Sequence, residues 1–115
     1  MILKLNESST FPLIRLNRQA SVPQQDQQLR VMGWGKLGIN SVLLPDILQV
    51  VNVTYRANCR HEVATSDMMC ALGFNNSGTC RGDSGGPLII AGNSHQEDIQ
   101  VGIVSFSVLE CVHRK

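Results

Sequence analysis

The stretch Gly82-Asp83-Ser84-Gly85-Gly86-Pro87, two residues after Cys80, decides how the rest of this 115-residue sequence is interpreted. Its three glycines allow backbone angles that a side chain would forbid, so a turn here can direct amides and one hydroxyl toward a single point. Ser84 is the candidate nucleophile of such a loop. The backbone N–H groups of Gly82 and Ser84 are the candidate donors of an oxyanion hole. An ordinary glycine-rich turn is the alternative, but the flanking cysteine and the upstream Gly33-Trp34-Gly35 disfavour it.

Length and charge exclude several classes of protein. A chain of 115 residues is one domain at most and can bury roughly two-thirds of its unfolded surface. Ten basic and nine acidic residues give a formal net charge of +1, which favours neither a nucleic acid nor a membrane surface as partner. No apolar run approaches the length that spans a bilayer. No Cys-x-x-Cys pair is present, which disfavours a metal site built from the cysteines. No metal and no cofactor is expected from the sequence.

Cysteines and sequons indicate a secreted, extracellular protein. The four cysteines form an even set that allows three disulfide pairings. Candidate N-glycosylation sequons begin at Asn6, Asn52 and Asn75, although each is as compatible with an unmodified surface asparagine. The first residues lack the basic segment and the long apolar segment of a signal peptide. Because the cysteines and sequons indicate export while no signal peptide is found, we expect that the amino-terminal part of the protein is missing from this chain.

The pattern of short apolar stretches predicts an all-β fold. Gly, Pro and Asn turns separate these stretches, as is typical of a β-sandwich or barrel. Residues 6–28 are polar and contain prolines, which predicts an irregular linker. Gly92-Asn93-Ser94 predicts the turn of a hairpin, and Ala57–Val63 is compatible with a short helical turn. Strands are predicted over Met1–Leu5, Leu29–Trp34, Leu48–Tyr55, Met68–Leu72, Pro87–Ile90 and Ile99–Ser107.

With the loop and Gly33-Trp34-Gly35, the sequence resembles about the second half of the chymotrypsin/trypsin family of serine endopeptidases. The resemblance implies an incomplete six-stranded antiparallel β-barrel of the trypsin-like type. Residues 1–27 would be the end of a first-barrel strand followed by the inter-barrel linker. Residues 28–115 would be the second β-barrel, without its last strand and its C-terminal helix.

The same resemblance implies how the cysteines pair. Cys59 would bond Cys70, and Cys80 would bond Cys111. The second bond would tie the segment Gly82–Pro87, called the nucleophile loop below, to a wall of the specificity pocket. A further disulfide that is common in the family has no counterpart, because its two positions hold Leu29 and Ile90. Both cysteines are absent together, so an apolar contact is expected in their place.

The activity that the resemblance implies is proteolysis of a polypeptide through an acyl-enzyme. Ser84 would be the nucleophile and Gly82 part of the oxyanion hole, while Asp83 would form an ion pair with the α-amino group released by zymogen cleavage. The catalytic His and Asp of the family are not found in this sequence. The histidines that are present are interpreted as exposed loop residues, since none has an evident orienting carboxylate; they are His61, His95 and His113. The isolated chain is therefore expected to be inactive without a first β-barrel, and the alternative is a non-catalytic homologue that acts as a binding or regulatory module.

Substrate preference is implied by residues on either side of Ser84. By the same resemblance, Gly78 would occupy the base of the pocket, where trypsin-like enzymes place an Asp for basic substrate side chains. Ser105-Phe106-Ser107 matches the end of the segment that hydrogen-bonds the substrate backbone, and Ser107 replaces a glycine at the pocket mouth. These residues predict a preference for small apolar side chains. Arg81 either contacts the leaving side of the substrate, favouring acidic residues, or is a solvated surface residue.

Overall fold

A computed structural model describes residues 4–58, 64–74 and 77–107, and all regular structure in those ranges is β. Six strands form one sheet: β1 (Arg15–Leu16), β2 (Gln28–Gly33), β3 (Gln49–Arg56), β4 (Cys70–Gly73), β5 (Pro87–Ile90) and β6 (Ile99–Ile103). No helix in the described ranges is long and apolar enough to cross a membrane. The predicted fold class is confirmed, because the described ranges are all-β and their six-stranded sheet is not closed.

The strand order in the sheet is β1-β6-β5-β2-β3-β4. Neighbouring strands run antiparallel, except that β1 pairs in parallel with the start of β6. β2 lies at the centre of the sheet, between β3 and β5. Because β2 and β5 are antiparallel, the end of β2 at Gly33 lies beside the start of β5 at Pro87. The residues after β2 and those before β5 therefore meet at one end of the sheet.

The prediction of an irregular linker over residues 6–28 was wrong for three residues, because Arg15 and Leu16 form β1 and Gln28 begins β2. Long-range contacts hold this short strand: the Arg15 guanidinium donates to the carbonyl oxygen of Glu97 at 2.7 Å. The Asn17 amide donates to the carbonyl oxygen of Gln100 at 2.9 Å. A local sequence pattern contains no signal for such contacts.

The last predicted strand also ends earlier than expected, at Ile103 instead of Ser107. Beyond Ile103 the chain leaves the ladder with β5, and Val104 hydrogen-bonds to the nucleophile loop instead. At the other end of the chain, Lys4 and Leu5 are not in a strand, and residues 1–3 lie outside the described ranges. Residues 57 and 58 are not helical, and the rest of the predicted helical turn is also outside those ranges.

The hydrophobic core lies on one face of the three central strands. Neighbouring side chains of a strand point to opposite faces, and β2 accordingly alternates between exposed and buried residues along its length. The buried core cluster consists of Leu29, Val31, Val51, Val53 and Leu88. Ile90 packs against the cluster that contains Leu29, in agreement with the apolar contact expected at the positions of the absent disulfide.

Candidate active site

The nucleophile loop is a tight turn that needs glycine at three positions. Gly82 and Gly85 have φ angles of 100° and 86°, in the left-handed region that side chains disfavour. At Gly86 a Cβ atom would lie 2.8 Å from the carbonyl oxygens of both Asp83 and Met32. Two backbone hydrogen bonds close the turn. The Asp83 amide donates to the Cys80 carbonyl oxygen at 3.0 Å, and the Gly86 amide donates to the Asp83 carbonyl oxygen at 2.9 Å.

Asp83 fixes this loop to the end of β2. Its side chain is only 1% exposed. One carboxylate oxygen accepts from the Gly35 amide at 2.9 Å, and the other accepts from the Cys80 amide at 2.8 Å. A Cβ atom at Gly35 would lie 2.6 Å from the Asp83 carboxylate carbon, so the backbone after β2 can approach this closely only as glycine. The Gly33-Trp34-Gly35 motif thus supplies the space and one of the amides that hold the buried carboxylate.

Ser84 lies at the exposed apex of the loop, and its hydroxyl donates to the carbonyl oxygen of Ser105 at 3.1 Å. No histidine or carboxylate in the described ranges hydrogen-bonds to this hydroxyl. A backbone carbonyl can orient the hydroxyl, but it is too weak a base to remove the proton. In the described ranges, the Ser84 hydroxyl is therefore oriented by the backbone carbonyl of Ser105.

The residues after β6 are held against the loop by backbone hydrogen bonds. The Gly85 amide donates to the Val104 carbonyl at 2.8 Å, and the Val104 amide donates to the Gly86 carbonyl at 2.9 Å. These bonds place Ser105 beside Ser84, as the Ser84–Ser105 contact shows. Phe106 and Ser107 follow and are exposed to solvent. The sequence predicted a role for Ser105 beside the substrate backbone but carried no signal that its carbonyl accepts from the Ser84 hydroxyl.

The remaining predicted site residues are only partly described. A Cβ atom at Gly78 would meet nothing within 4 Å, so this position faces open space; its role as pocket base stays a prediction. Asn6, Asn52 and His95 are exposed to solvent. Within the described ranges, no group of three or more His, Cys, Asp or Glu residues could hold a metal ion. The other candidates lie outside those ranges; they are Cys59, His61, Asn75, Cys111 and His113.

Both described cysteines are disulfide-bonded. Cys70 begins β4, and Cys80 is a buried residue just ahead of the nucleophile loop. Their predicted partners, Cys59 and Cys111, are among the residues that the structure does not describe. The pairing itself stays a prediction.

The loop, its buried Asp83 and the sheet behind it present an exposed serine on an all-β scaffold. The family model described as trypsin matches residues 1–115, the whole of the sequence. The chain belongs to the trypsin family of serine proteases.

Individual relatives agree with this assignment. The chain is 33% identical to the venom plasminogen activator LV-PA of Lachesis muta muta over 123 aligned positions, covering 98% of this chain and 45% of that protein. It is 36% identical to the snake venom serine protease catroxase-1 of Crotalus atrox, covering 80% of this chain and 39% of that protein. With trypsin delta of Drosophila melanogaster the identity is 32%, covering 91% of this chain and 43% of that protein. The chain thus spans less than half the length of these relatives.

Proposed function

We propose that this chain carries the nucleophile and the oxyanion hole of a serine endopeptidase that works through an acyl-enzyme. Ser84 would attack the scissile carbonyl carbon, and the amides of Gly82 and Ser84 would bind the oxygen as negative charge develops on it. The observation that carries the proposal is the placement of Ser84: its hydroxyl is exposed at the apex of a turn that the buried Asp83 fixes through two amides.

The base that activates Ser84 is proposed to come from a histidine held by an aspartate in a first β-barrel. The Ser84 hydroxyl has the Ser105 carbonyl as its hydrogen-bond partner in this structure, and that carbonyl cannot accept the proton. Loss of the base in another serine protease costs on the order of a millionfold in turnover. An oxyanion-hole donor contributes only about 2.7–4 kcal/mol, which cannot compensate for that loss. The chain by itself is therefore expected to be catalytically silent.

Asp83 is proposed to have a second role in activation. In the proposed enzyme, its carboxylate would form an ion pair with an α-amino group released by proteolytic cleavage. The position supports this role, because Asp83 is buried and stands in sequence between Gly82 and Ser84, the residues proposed for the oxyanion hole. Any group that binds this carboxylate also acts on the geometry of Gly82 and Ser84.

The proposed substrate is a polypeptide with a small apolar side chain at the bond that is cleaved. Gly78 has no charge with which to pair a basic side chain, and open space lies at its Cβ position. Ser105, Phe106 and Ser107 would bind the substrate backbone beside Ser84. The Ser107 side chain would narrow the entrance for long residues.

We also propose that the protein acts outside the cell. Both described cysteines are in disulfides, which persist in oxidising compartments. Two of the relatives are described as venom proteins, which supports the same location. Asn6 and Asn52 are exposed and would be open to glycosylation there.

The test joins this chain to the amino-terminal half of Drosophila trypsin delta, one of its relatives. The fusion is expected to be labelled by a peptidyl phosphonate at Ser84, whereas the isolated chain and a Ser84→Ala fusion are not. Intact mass measured before and after labelling reports the stoichiometry.

Two results would count against the proposal. Stoichiometric labelling of the isolated chain would show that Ser84 does not need the missing base. A fusion that folds, as judged by its circular dichroism, but is never labelled would favour the non-catalytic binding module instead.

A further inference from the structure

One of the glycosylation sequons lies within a strand of the sheet. Its asparagine, Asn52, belongs to β3 and is exposed, whereas Val51 and Val53 on either side of it are buried in the core cluster. Neighbouring side chains of a strand point to opposite faces. Asn52 therefore lies on the face of the sheet that is turned away from the core, which we call the outer face.

Two exposed apolar side chains flank Asn52 on the outer face. Val50 is two residues away along β3, a distance of about 7 Å, and is 56% exposed. Leu72 of β4 pairs with Thr54, so it lies on the same face as Asn52 and is its diagonal neighbour at about 7–8 Å. Leu72 is 50% exposed. We call Val50 and Leu72 the apolar patch.

The opposite end of the outer face is covered by the protein itself. Arg30 of β2 pairs with Asn52 on one side and with Ile89 of β5 on the other, so all three residues share this face. Ile89 is only 3% exposed, although it does not belong to the core cluster. The outer face is therefore closed at β5 and open at the apolar patch.

We propose that Asn52 carries an N-linked glycan and that this glycan covers the apolar patch. The inference rests on the proposed function only for the location of the protein outside the cell. A bulky, hydrated group attached between Val50 and Leu72 keeps other chains from an apolar surface that favours association.

The charge beside Asn52 favours a glycan over a second protein as the occupant of the patch. Arg30 lies directly opposite Asn52 and is exposed. A protein docked on the patch would have to bury this guanidinium or supply a partner for it, because an unpaired buried charge is costly. A hydrated glycan leaves Arg30 in water.

The glycan would be transferred from an oligosaccharide that is joined to a lipid through pyrophosphate. The Nδ2 atom of Asn52 forms a bond to the anomeric carbon of the first sugar, and the bond from that carbon to the pyrophosphate oxygen breaks. The lipid pyrophosphate leaves with the electron pair of that bond, and Nδ2 gives one proton to a base of the transferase.

The contacts of the sequon also indicate when the transfer takes place. Val53 is 3% exposed, and the Thr54 hydroxyl accepts a hydrogen bond from Nε2 of Gln28 at 2.9 Å. Residues 52–54 therefore cannot enter an enzyme once β3 is paired. We expect the transfer to precede the folding of the sheet.

The first measurement is the occupancy of Asn52. The 115-residue chain is expressed behind a cleavable signal peptide in cultured eukaryotic cells and purified from the medium. Peptide N-glycosidase in heavy-oxygen water converts a glycosylated Asn to an Asp that carries the heavy oxygen, which peptide mass spectrometry detects. Asn52 is expected to carry this label in most molecules.

Variants of Thr54 separate the sequon from the strand. Thr54→Ser keeps a hydroxyl and a sequon and should keep the label at Asn52, whereas Thr54→Ala should lose it. Gln28→Ala is the matched control, because it removes the hydrogen bond to Thr54 and leaves the sequon intact. It should keep the label.

The second measurement tests whether the glycan covers the patch. In sedimentation velocity, Asn52→Gln should have an average polypeptide mass about twofold that of the glycosylated chain, as for a dimer. Adding Val50→Thr/Leu72→Thr to Asn52→Gln should restore the lower mass, since Thr is polar and suits a strand. Val42→Thr/Leu43→Thr, at positions 89% and 79% exposed on another segment, is the matched control and should not restore it. If Asn52→Gln is not secreted, the same rescue is measured on the secreted amounts.

Two results overturn the modification site: an unlabelled Asn52 in the secreted chain, or equal loss of the label in Thr54→Ser and Thr54→Ala. An unlabelled chain whose association is relieved by Val50→Thr/Leu72→Thr would assign the patch to a second copy of the chain instead.

The covering role is overturned if Asn52→Gln matches the glycosylated chain in both average mass and secreted amount. Equal rescue by Val42→Thr/Leu43→Thr would overturn it as well. The phosphonate experiment fails independently. A fusion that is never labelled by the phosphonate, beside a glycosylated Asn52, would leave this proposal intact.

Discussion

Asp83 shows how a single buried carboxylate can fix an exposed loop. Its two oxygens accept from the amides of Gly35 and Cys80, which are 48 and three residues away along the chain. Each bond satisfies an amide that would otherwise be buried without a partner, and a buried donor left unsatisfied costs about 1–3 kcal/mol. The position of the Ser84 hydroxyl therefore depends on a neighbour that is itself buried.

Asp83→Asn is expected to destabilise the chain by about 1–3 kcal/mol. The amide side chain keeps one oxygen, but its NH₂ group would face a backbone N–H, so one acceptor is replaced by a donor. Urea unfolding followed by circular dichroism measures the change. Asp46→Asn is the control, because Asp46 is exposed, and it should change stability by less than about 0.5 kcal/mol. Equal stabilities for the two variants would contradict the role given to Asp83.

Asp67 gives a second residue-scale prediction, through its pKa. The hydroxyl of Thr65 hydrogen-bonds its carboxylate, and a backbone hydrogen bond adds to the effect, so the pKa of Asp67 lies below its ordinary value of 3.8. Thr65→Ala should raise this pKa toward 3.8, whereas Thr65→Ser keeps a hydroxyl and should leave it low. Titration of the carboxyl carbon by NMR makes the comparison.

The sign of the accompanying stability change follows from linkage. Because folding lowers the pKa of Asp67, its contribution to stability is present above the unfolded pKa and is lost as the pH falls through the folded one. Thr65→Ala should therefore weaken the acid dependence of stability at and below about pH 4, the ordinary range of an Asp carboxyl. An unchanged pKa in that variant would exclude the Thr65 hydroxyl as the cause.

At the scale of the element, β3 separates core from surface along a single strand. Val53 is 3% exposed and belongs to the core cluster, whereas Val50 on the same strand is 56% exposed. Val53→Ala should cost about 2–3 kcal/mol, since two buried methyl groups lose their transfer free energy and leave a cavity. Val50→Ala should cost less than about 0.5 kcal/mol. Urea unfolding of both variants measures the two losses of stability. Equal losses would show that the two faces of β3 contribute equally to the stability of the fold.

The strands that the sequence predicts well are those with local signals. Pro87–Ile90 has the predicted bounds, because a glycine-rich turn precedes it and a Gly-Asn-Ser turn follows it. β1 was missed because two residues carry no periodicity and their contacts are with residues more than 80 positions away. β6 was predicted too long, since its apolar pattern continues while its hydrogen bonds pass from β5 to the loop.

In the candidate site, too, the sequence predicts the features that have local signals. The motif around Ser84 predicts which residues form the loop and that its glycines adopt unusual angles, because both are local properties. The partners of the loop could not be predicted from that motif. Gly35 and Ser105 reach it only through the pairing of β2 with β5 and of β5 with β6.

At the scale of the whole molecule, the open sheet leaves much apolar surface in contact with water. Phe11, Leu13 and Val42 are each more than four-fifths exposed. β4 pairs with β3 alone, so its other backbone edge has no strand beside it in the described ranges. Unpaired edges and exposed apolar side chains favour association with other chains. We therefore expect interactions besides the small core to contribute to the stability of the fold.

The disulfides are the strongest candidates for that role, and their pairing is the last prediction. Peptide mapping without reduction should find Cys59 joined to Cys70 and Cys80 joined to Cys111.

In the chain-entropy model, these links stabilise the fold by about 3 and just under 4 kcal/mol, the longer loop contributing more. Their sum is comparable to the whole stability of a typical small domain, about 5–15 kcal/mol. Reduction should therefore unfold most of the chain at room temperature, and Cys80→Ser/Cys111→Ser should be less stable than Cys59→Ser/Cys70→Ser. A Cys59–Cys80 link in the map would overturn the pairing. Unchanged urea unfolding after reduction would show that the sheet is stable without either link.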